Sequence, residues 1–401
     1  MENNLQKQVE QVLSEMESYF EKNSYKSFDP CDIKALPFIL KYYDLFYRTR
    51  ISKFAIFPLE VLVNKFPRQI RKIVGIHKQA FAQSHALIVR AKLEKFRKLQ
   101  IEEEYSQAET LFNWILSQRS GMTRNASWGQ PYNWFSSDII PADTPRTTVS
   151  SQILHTCIDM YLTGKKETYR ELIGEICRFF LIEMVRSYDS DDETCFAYTL
   201  VDNYRVHNAN MMAASALMRA GTILKDDEII ELAGKCLNFT LRRQNPDGSW
   251  FYYADDSGGY GKIDHYHTGY VLEALSVIRN LQGDTFRYEK EFEKGVDFYL
   301  EQLFTGEGLP KMTPASTYPI DIQSCAQSII TLAEFAKFSK GYQYRIENVI
   351  NFTLEKFYHT KGYFSYRINK NGKILPYDYI RWGDAWMYLA LSRYVTLFHY
   401  V

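Results

Sequence analysis

One loop between two predicted helices concentrates side chains that could act on a sugar. It lies within residues 244–275, where Asp264 and His267 stand three residues apart. A carboxylate beside a histidine can transfer protons near neutral pH, and aromatic rings stack on the apolar faces of sugars. The same stretch carries further acids and rings: Trp250, Phe251, Tyr252, Tyr253, Asp255, Asp256, Tyr260, His265, Tyr266 and Tyr270. The alternative is a solvated connector, but so many aromatics would expose a large apolar surface unless they lined a cleft.

Three acids and one histidine are the catalytic candidates. Cleavage of a glycosidic bond needs two carboxylates across a pocket, and Asp264, Asp321 and Asp384 each lie at the start of a predicted helix. Elimination or epimerisation needs a proton acceptor, which we expect to be His267 rather than His265, although His267 could equally cap its helix. We therefore predict Asp264, His267 and Asp321 as catalytic.

Substrate binding is expected from aromatic platforms and polar side chains near the same helix starts. Arg381 would clamp an anionic group of the substrate or pair with Asp384. The predicted binding residues are Trp128, Tyr132, Trp134, Asn208, Asn210, Trp250, Tyr252, His265, Tyr270, Gln323, Arg381, Trp382, Asp384 and Trp386. Each tryptophan, taken alone, is as well explained by burial in the core.

Two interleaved repeats predict how these residues are held. A four-residue phrase recurs about every 60 residues, at 113–116, 178–181, 238–241, 297–300 and 351–354. A second series with the same period opens the alternate helices, near Thr147, Asn208, His267, Asp321 and Arg381. One helix of each pair has a one-sided apolar stripe, and its partner is apolar nearly all round. This predicts an all-α toroid of six or seven helical hairpins, in which the second series converges on one mouth.

We expect residues 1–401 to form a single toroid domain. Residues 101–401 carry the regular repeats, and residues 1–100 are less regular, with helices near 3–21, 32–47, 57–72 and 78–98. Basic residues far outnumber acidic ones between 48 and 98, where Glu60 and Glu94 are the only acids. This segment would form a solvated basic face or rest on anionic lipid.

Composition limits the partners. Lys plus Arg and Asp plus Glu are both 48, so no global charge favours nucleic acid. The six cysteines lack the spacing of a zinc site and are expected to be reduced, which with the absence of a signal peptide or long apolar run predicts a cytoplasmic protein. No histidine is placed to complete a metal site with Asp321 and Cys325, and no nucleotide-binding motif is present, so no metal or cofactor is predicted.

Several motifs resemble known toroid families. Gln118 with Trp128, and Gln244 with Trp250, resemble the glutamine–tryptophan repeats of squalene cyclases and prenyltransferases, and the hairpin pattern is similar to that of six-hairpin glycosidases. The segments 25–32, 128–134, 195–198, 207–210, 264–270, 321–327 and 381–386 resemble a bacterial family encoded in surface-polysaccharide biosynthesis loci. Its members often carry the label delta-aminolevulinic acid dehydratase, but that enzyme is a TIM barrel, and this chain lacks alternating strands and helices.

The resemblance implies a role in capsule, exopolysaccharide or O-antigen production. The main hypothesis is an enzyme that modifies a sugar chain or uronate by hydrolysis, elimination or epimerisation. The substrate could be lipid-linked and anionic. One alternative is a non-catalytic glycan-binding or scaffold protein of the same pathway. Another is an isoprenoid-processing toroid, because 189–192 (DSDD) matches the acid-rich motif of protonating terpene cyclases.

Overall fold

The computed structural model describes residues 4–47, 61–62, 65–135, 139–254 and 262–398. The helices used below are α1 (Asn4–Lys22), α2 (Pro37–Tyr47), α3 (Pro67–Ile73), α4 (Ala82–Leu99), α5 (Glu102–Ser117), α6 (Thr147–Gly164), α7 (Glu167–Arg178), α8 (His207–Leu224), α9 (Asp227–Leu241), α10 (His265–Gln282), α11 (Glu289–Gln302), α12 (Ile322–Ala336), α13 (Gln343–Lys356) and α14 (Ala385–Phe398). None of the helices in these ranges is long and apolar enough to cross a membrane.

Short antiparallel strands occur in the connections. They are β1 (Trp134–Phe135), β2 (Ile139–Ile140), β3 (Arg186–Asp189), β4 (Thr194–Phe196), β5 (Ile320–Asp321), β6 (Tyr358–His359), β7 (Tyr363–Phe364), β8 (Arg367–Ile368) and β9 (Ile374–Leu375). The pairs are β1–β2, β3–β4 and β6–β7, and β8 lies between β5 and β9.

Six helices of the described chain form a closed inner ring. Along the ring α4, α6, α8, α10, α12 and α14 each contact the next, and α14 returns to α4. The helices α5, α7, α9, α11 and α13 lie outside, and α1 covers α14. The predicted all-α toroid is confirmed: five of the six inner helices are each followed by an outer helix, and α1 takes the outer position beside the sixth, α14.

The burial of each helix follows its sequence pattern. Nearly every side chain of α8 from His207 to Met218 is buried, because helices pack against it on all sides. In α9 a single stripe that includes Ile229, Ala233 and Cys236 faces inward, and Asp226 caps the helix by accepting from the backbone of Glu228 and Ile229. Inner and outer helices thus differ in the way that the alternating pattern predicts.

A glutamine–tryptophan segment ties neighbouring outer helices together. Gln244 donates from Nε2 to the backbone oxygens of Gly248 and Glu291, the latter in α11. Trp250 donates from Nε1 to Thr240 O at the end of α9, 3.0 Å away. Gly248 has φ +90°, and a Cβ there would lie 2.2 Å from Lys294 O, so this turn requires glycine.

Most of the basic residues that the structure describes between 65 and 98 are paired with acids from other segments. Residues 48–60 and 63–64 lie outside the described ranges. In the rest, Arg71 is buried against Asp32, while Lys92 and Lys95 bind Glu17 and Glu104 between α1, α4 and α5. Ion pairs are also formed by Arg68, Lys78, Arg90 and Arg97. The expected solvated basic face is therefore largely neutralised within the fold.

Candidate functional site

The candidate site lies at the mouth where the inner helices begin. Each outer helix ends in a loop or short hairpin that leads to the next inner helix, so these connections share one face of the toroid. The helix α10 begins at His265 with Asp264 as its N-cap, and α12 begins at Ile322 with Asp321 as its N-cap. The two acids singled out in the sequence therefore occupy equivalent positions in neighbouring repeats.

Asp264 and His267 form a hydrogen-bonded dyad. Asp264 Oδ1 accepts from the backbone N–H of His267 at 3.0 Å, and Oδ2 lies 2.6 Å from His267 Nδ1. Burial alone would raise the pKa of Asp264, but His267 and its hydrogen bonds hold that pKa below its usual value. The ionised carboxylate orients the imidazole, and Nε2 of His267 has no hydrogen-bond partner in the described part of the chain. The His267 side chain is 23% exposed, so a ligand can reach it.

Two tyrosine rings flank the His267 imidazole. The ring of Tyr252 is centred 4.4 Å away and that of Tyr266 4.3 Å away. Tyr252 is half-buried, and its carbonyl accepts from the backbone of His207 at the start of α8. The rings give the dyad walls that could contact the apolar face of a sugar.

Trp382 connects the dyad to Asp321. Its ring lies 6.1 Å from that of Tyr266, and its Nε1 donates to Asp321 Oδ1 at 3.1 Å. Burial raises the pKa of Tyr266 well above its usual value, and the negative charges of Asp264 and Asp321 raise it further. The predicted acids therefore share one neighbourhood, with Tyr266 and Trp382 between them.

Asp321 is held too tightly to act as the catalytic acid that the sequence predicts. It has no exposed surface, and Oδ2 accepts from Arg367 Nη2 at 2.7 Å and Nε at 3.1 Å. Oδ1 accepts from the backbone of Gln323 and from Trp382. With both oxygens occupied by protein donors, Asp321 positions Trp382 and the start of α12.

Arg381 and Asp384 also differ from the expectation. Arg381 Nε donates to Asp29, which is 352 residues earlier and fully buried, and Asp29 also accepts from Tyr132 Oη at 2.7 Å. Asp384 accepts from the backbone of Phe364, and burial raises its pKa well above the usual value. Arg381 therefore pairs with Asp29 rather than with Asp384, the partner that the sequence suggested.

Buried amides lie deeper in the same mouth. Asn208 in α8 and Gln323 in α12 are 5% and 6% exposed, and their side-chain oxygens have no hydrogen-bond partner in the described chain. Gln323 Nε2 donates to the hydroxyl of Tyr270, whose ring lies 5.1 Å from that of Trp386. The two amide oxygens are thus buried acceptors without a donor among the described residues.

Four other predicted binding residues serve the fold instead. Trp128 is fully buried and donates to Ile115 O, and Trp250 is tied to α9 as described above. Asn210 joins β4 to α9 through Phe196 N and Cys236 O. His265 is enclosed by Leu303 O, Ser328 and Tyr299, and burial lowers its pKa to about 4.

Some of the predicted residues lie outside the described ranges or outside this mouth. Asp255, Asp256 and Tyr260 are not in the described ranges, and for Trp134 only the backbone, in β1, is described. The acid-rich segment 189–192 is on the β3–β4 hairpin, where Asp189 and Asp192 are exposed and paired with Arg186 and Arg242. These acids are placed at the surface, unlike a proton donor in a dry pocket.

Three contributors to the site were not among the predicted residues. Tyr266 is named in the sequence only as one of the rings of residues 244–275, and neither Arg367 nor Asp29 is among the predicted site residues. A signal for Arg367 exists, because Asn371-Gly372 favours the turn of a hairpin that precedes the last inner helix, and Arg367 lies in the first strand of that hairpin.

No group of three or more His, Cys, Asp or Glu residues in the described ranges is arranged to hold a metal ion.

Comparisons with known proteins define the class of fold. No protein-family model and no curated protein matches the chain. Among solved structures, the cellobiose 2-epimerase of Bacillus thermoamylovorans is similar over 80% of this chain and 90% of its own, with 8% identity and a TM-score of 0.64. A GH76 α-mannanase of Bacteroides thetaiotaomicron is similar over 78% of this chain and 86% of its own, with 12% identity and a TM-score of 0.60. A polysaccharide lyase is similar over 84% of this chain and 97% of its own, with 12% identity and a TM-score of 0.57.

The chain thus has the α/α-toroid fold of carbohydrate-processing enzymes. At such low identities the likeness establishes the fold alone.

Proposed function

We propose that the protein is a carbohydrate-active enzyme that moves a proton next to a sugar carbonyl, as in epimerisation or isomerisation. The proposal is carried by the Asp264–His267 dyad, in which a histidine with a 23% exposed side chain is oriented by a carboxylate that is 12% exposed at the mouth of the toroid. His267 Nε2 would accept the carbon-bound proton, and Asp264 would stabilise the imidazolium that forms.

The surroundings favour this chemistry over hydrolysis. Hydrolysis of a glycosidic bond requires a second reachable carboxylate, and Asp321 and Asp384 are both sequestered. Within the described ranges the dyad is the acid–base pair at this mouth whose histidine has a nitrogen, Nε2, without a hydrogen-bond partner. The oxygens of Asn208 and Gln323 would accept from sugar hydroxyls, and Tyr252, Tyr266 and Trp382 would contact the ring.

The substrate would be recognised by hydrogen bonds and ring contacts more than by ion pairs. Arg381 and Arg367 are each already paired with a carboxylate. Asp264 and Asp321 also occupy the starts of α10 and α12, where helix dipoles would otherwise attract an anion. We propose that the sugar belongs to surface-polysaccharide metabolism in the cytoplasm, as the sequence resemblance implies, and that any lipid carrier would lie outside the mouth.

Proton exchange with solvent tests the proposal without knowledge of the product. The protein is incubated in D₂O with mannose, glucose and cellobiose, and deuterium at the carbon next to the carbonyl is followed by NMR. We expect His267→Ala to lower the exchange rate by about 10²–10⁴-fold, the usual contribution of a general base. Asp264→Asn should cause a smaller loss, because the base remains without its orienting carboxylate.

The matched control is His77→Ala, an exposed histidine in a separate groove with Tyr19 and Asp378. It should leave exchange unchanged. Equal exchange in the wild type and in His267→Ala would overturn the proposed role of the dyad.

A glycan-binding protein is the second candidate, because of the three candidate acids Asp321 and Asp384 are held by protein groups and only Asp264 lies beside a partly exposed side chain, that of His267. It predicts saturable binding of a glycan without exchange or turnover in any of these experiments.

A further inference from the structure

A second cavity lies inside the ring toward the opposite mouth, where the inner helices end. Its volume is about 410 Å³, within the range of small-molecule sites, and all six inner helices line it. Tyr270, one helical turn after His267, stands between this C-terminal chamber and the dyad. At the outer rim Leu281 and Leu397 are 42% and 38% exposed, so a ligand can enter from this end.

One side of the chamber has more positive than negative charge. Asp159 accepts from Arg219 Nη2 at 2.7 Å and Arg90 Nε at 3.2 Å, and Arg97 lies 3.9 Å away. Although burial alone would raise the pKa of Asp159, these three guanidinium groups hold that pKa far below its usual value. His155 adds no charge, because burial and Arg219 lower its pKa well below the usual value. One carboxylate thus neutralises only part of three cations.

The other side has the opposite balance. Arg393 in α14 lies 3.0 Å from Glu94, 3.2 Å from Glu273 and 3.4 Å from Glu334, and Lys337 also binds Glu334. Three carboxylates therefore face two cations. The chamber is polarised from the Arg90–Arg219 side to the Glu94–Glu273 side.

Two oxygens in the chamber have no hydrogen-bond partner within the described ranges. Gln152 is 3% exposed, and its Oε1 is unpaired, as is Oε2 of Glu94. A buried acceptor without a donor is unfavourable, and a ligand hydroxyl would supply the missing donor. Because Gln152 and Arg90 lie two or more turns inside their helices, the negative helix ends act weakly on them.

We propose that the C-terminal chamber binds a monosaccharide that carries a phosphate or a carboxylate. Its anionic group would lie against Arg90 and Arg219, whose remaining guanidinium nitrogens suit such oxygens. Its hydroxyls would donate to Gln152, Glu94 and Glu273. This is a second ligand site, separate from the His267 mouth and lined by different residues except for Tyr270.

Calorimetric titration of the full chain tests the site with four probes: glucose 6-phosphate, glucuronate, glucose and inorganic phosphate. At least one of the two charged sugars should bind, and the stronger of them identifies the anionic group. Glucose should bind at least tenfold more weakly, since it lacks the group that the arginines hold. Phosphate that binds as tightly as glucose 6-phosphate would overturn the assignment of a sugar.

Four variants separate the chamber from other sites. Gln152→Met and Arg219→Gln should each weaken binding at least tenfold, and the surface variant Arg186→Gln should not. Because Gln152 Oε1 makes no hydrogen bond with the residues that the structure describes, Gln152→Met keeps the test valid even if Arg219→Gln fails to fold. His267→Ala should leave this binding unchanged whatever its effect on proton exchange. Undiminished binding in Gln152→Met and Arg219→Gln, or no binding of either charged sugar, would refute the proposal.

Discussion

Removing the Asp321 carboxylate should lower the free energy of unfolding, whatever its effect on catalysis. Asp321→Ala leaves Arg367 without its partner and deprives Trp382 Nε1 and the Gln323 N–H of their acceptor. Loss of one partner of a buried ion pair costs about 3–5 kcal/mol. Since the Arg367 side chain is 26% exposed and regains some water, we expect the lower end, about 3 kcal/mol.

Urea denaturation followed by circular dichroism would measure this loss. The matched control is Glu289→Ala, which breaks the more exposed pair with Arg279 and should cost less than about 1 kcal/mol. The double variant Asp321→Ala/Arg367→Met should recover part of the loss, because no unpaired charge remains. If Asp321→Ala were as stable as Glu289→Ala but inactive in proton exchange, Asp321 would be a catalytic residue and our interpretation of its contacts would be wrong.

Three further predictions concern single sites. Gly248→Ala should lower the unfolding midpoint markedly, because its Cβ would meet Lys294 O in a backbone conformation with positive φ; an unchanged midpoint would contradict this. Burial raises the pKa of Asp384 in the folded protein, so the wild type loses free energy of unfolding as pH rises above about 4. Asp384→Asn should remove this loss and therefore stabilise the fold increasingly with pH, by up to about 1.4 kcal/mol per pH unit. Equal effects of the substitution at pH 4.5 and 7.5 would refute the prediction. Conversely, the folded pKa of His265 is lowered to about 4, so the wild type should lose stability as pH falls from about 6.5 to 4, and His265→Gln should show a weaker dependence over that range.

The fold was largely predictable because its repeats are periodic. Residues one period apart meet equivalent neighbours in a closed ring, so the recurring phrases located the outer helices and the second series located the starts of the inner ones. The number of hairpins was not determined, since it depends on α1 covering α14, a contact between opposite ends of the sequence.

The candidate site was only partly predictable, for a related reason. Asp264 and His267 are three residues apart on one helix end, so their spacing already indicates a contact. The partners of Asp321 and Arg381 lie 46 and 352 residues away, on a short hairpin and in the N-terminal segment. Local spacing cannot reveal that such distant side chains occupy a carboxylate or a guanidinium. Similarly, the indole side chains of Trp128 and Trp250 are of the type that stacks on sugars. Both are instead buried in the fold, where they donate hydrogen bonds to the backbone oxygens of Ile115 and Thr240.

The contact between α1 and α14 also governs the order in which the molecule can be completed. The buried stripe of α1, which includes Val9, Leu13, Met16 and Phe20, packs against the last inner helix. At a synthesis rate of about 5–20 residues per second, α14 is completed roughly 20–75 s after α1. Through that interval its apolar face lacks the surface that covers it in the finished ring, and a ribosome-stalled chain ending before residue 385 should be more prone to aggregation than the full chain.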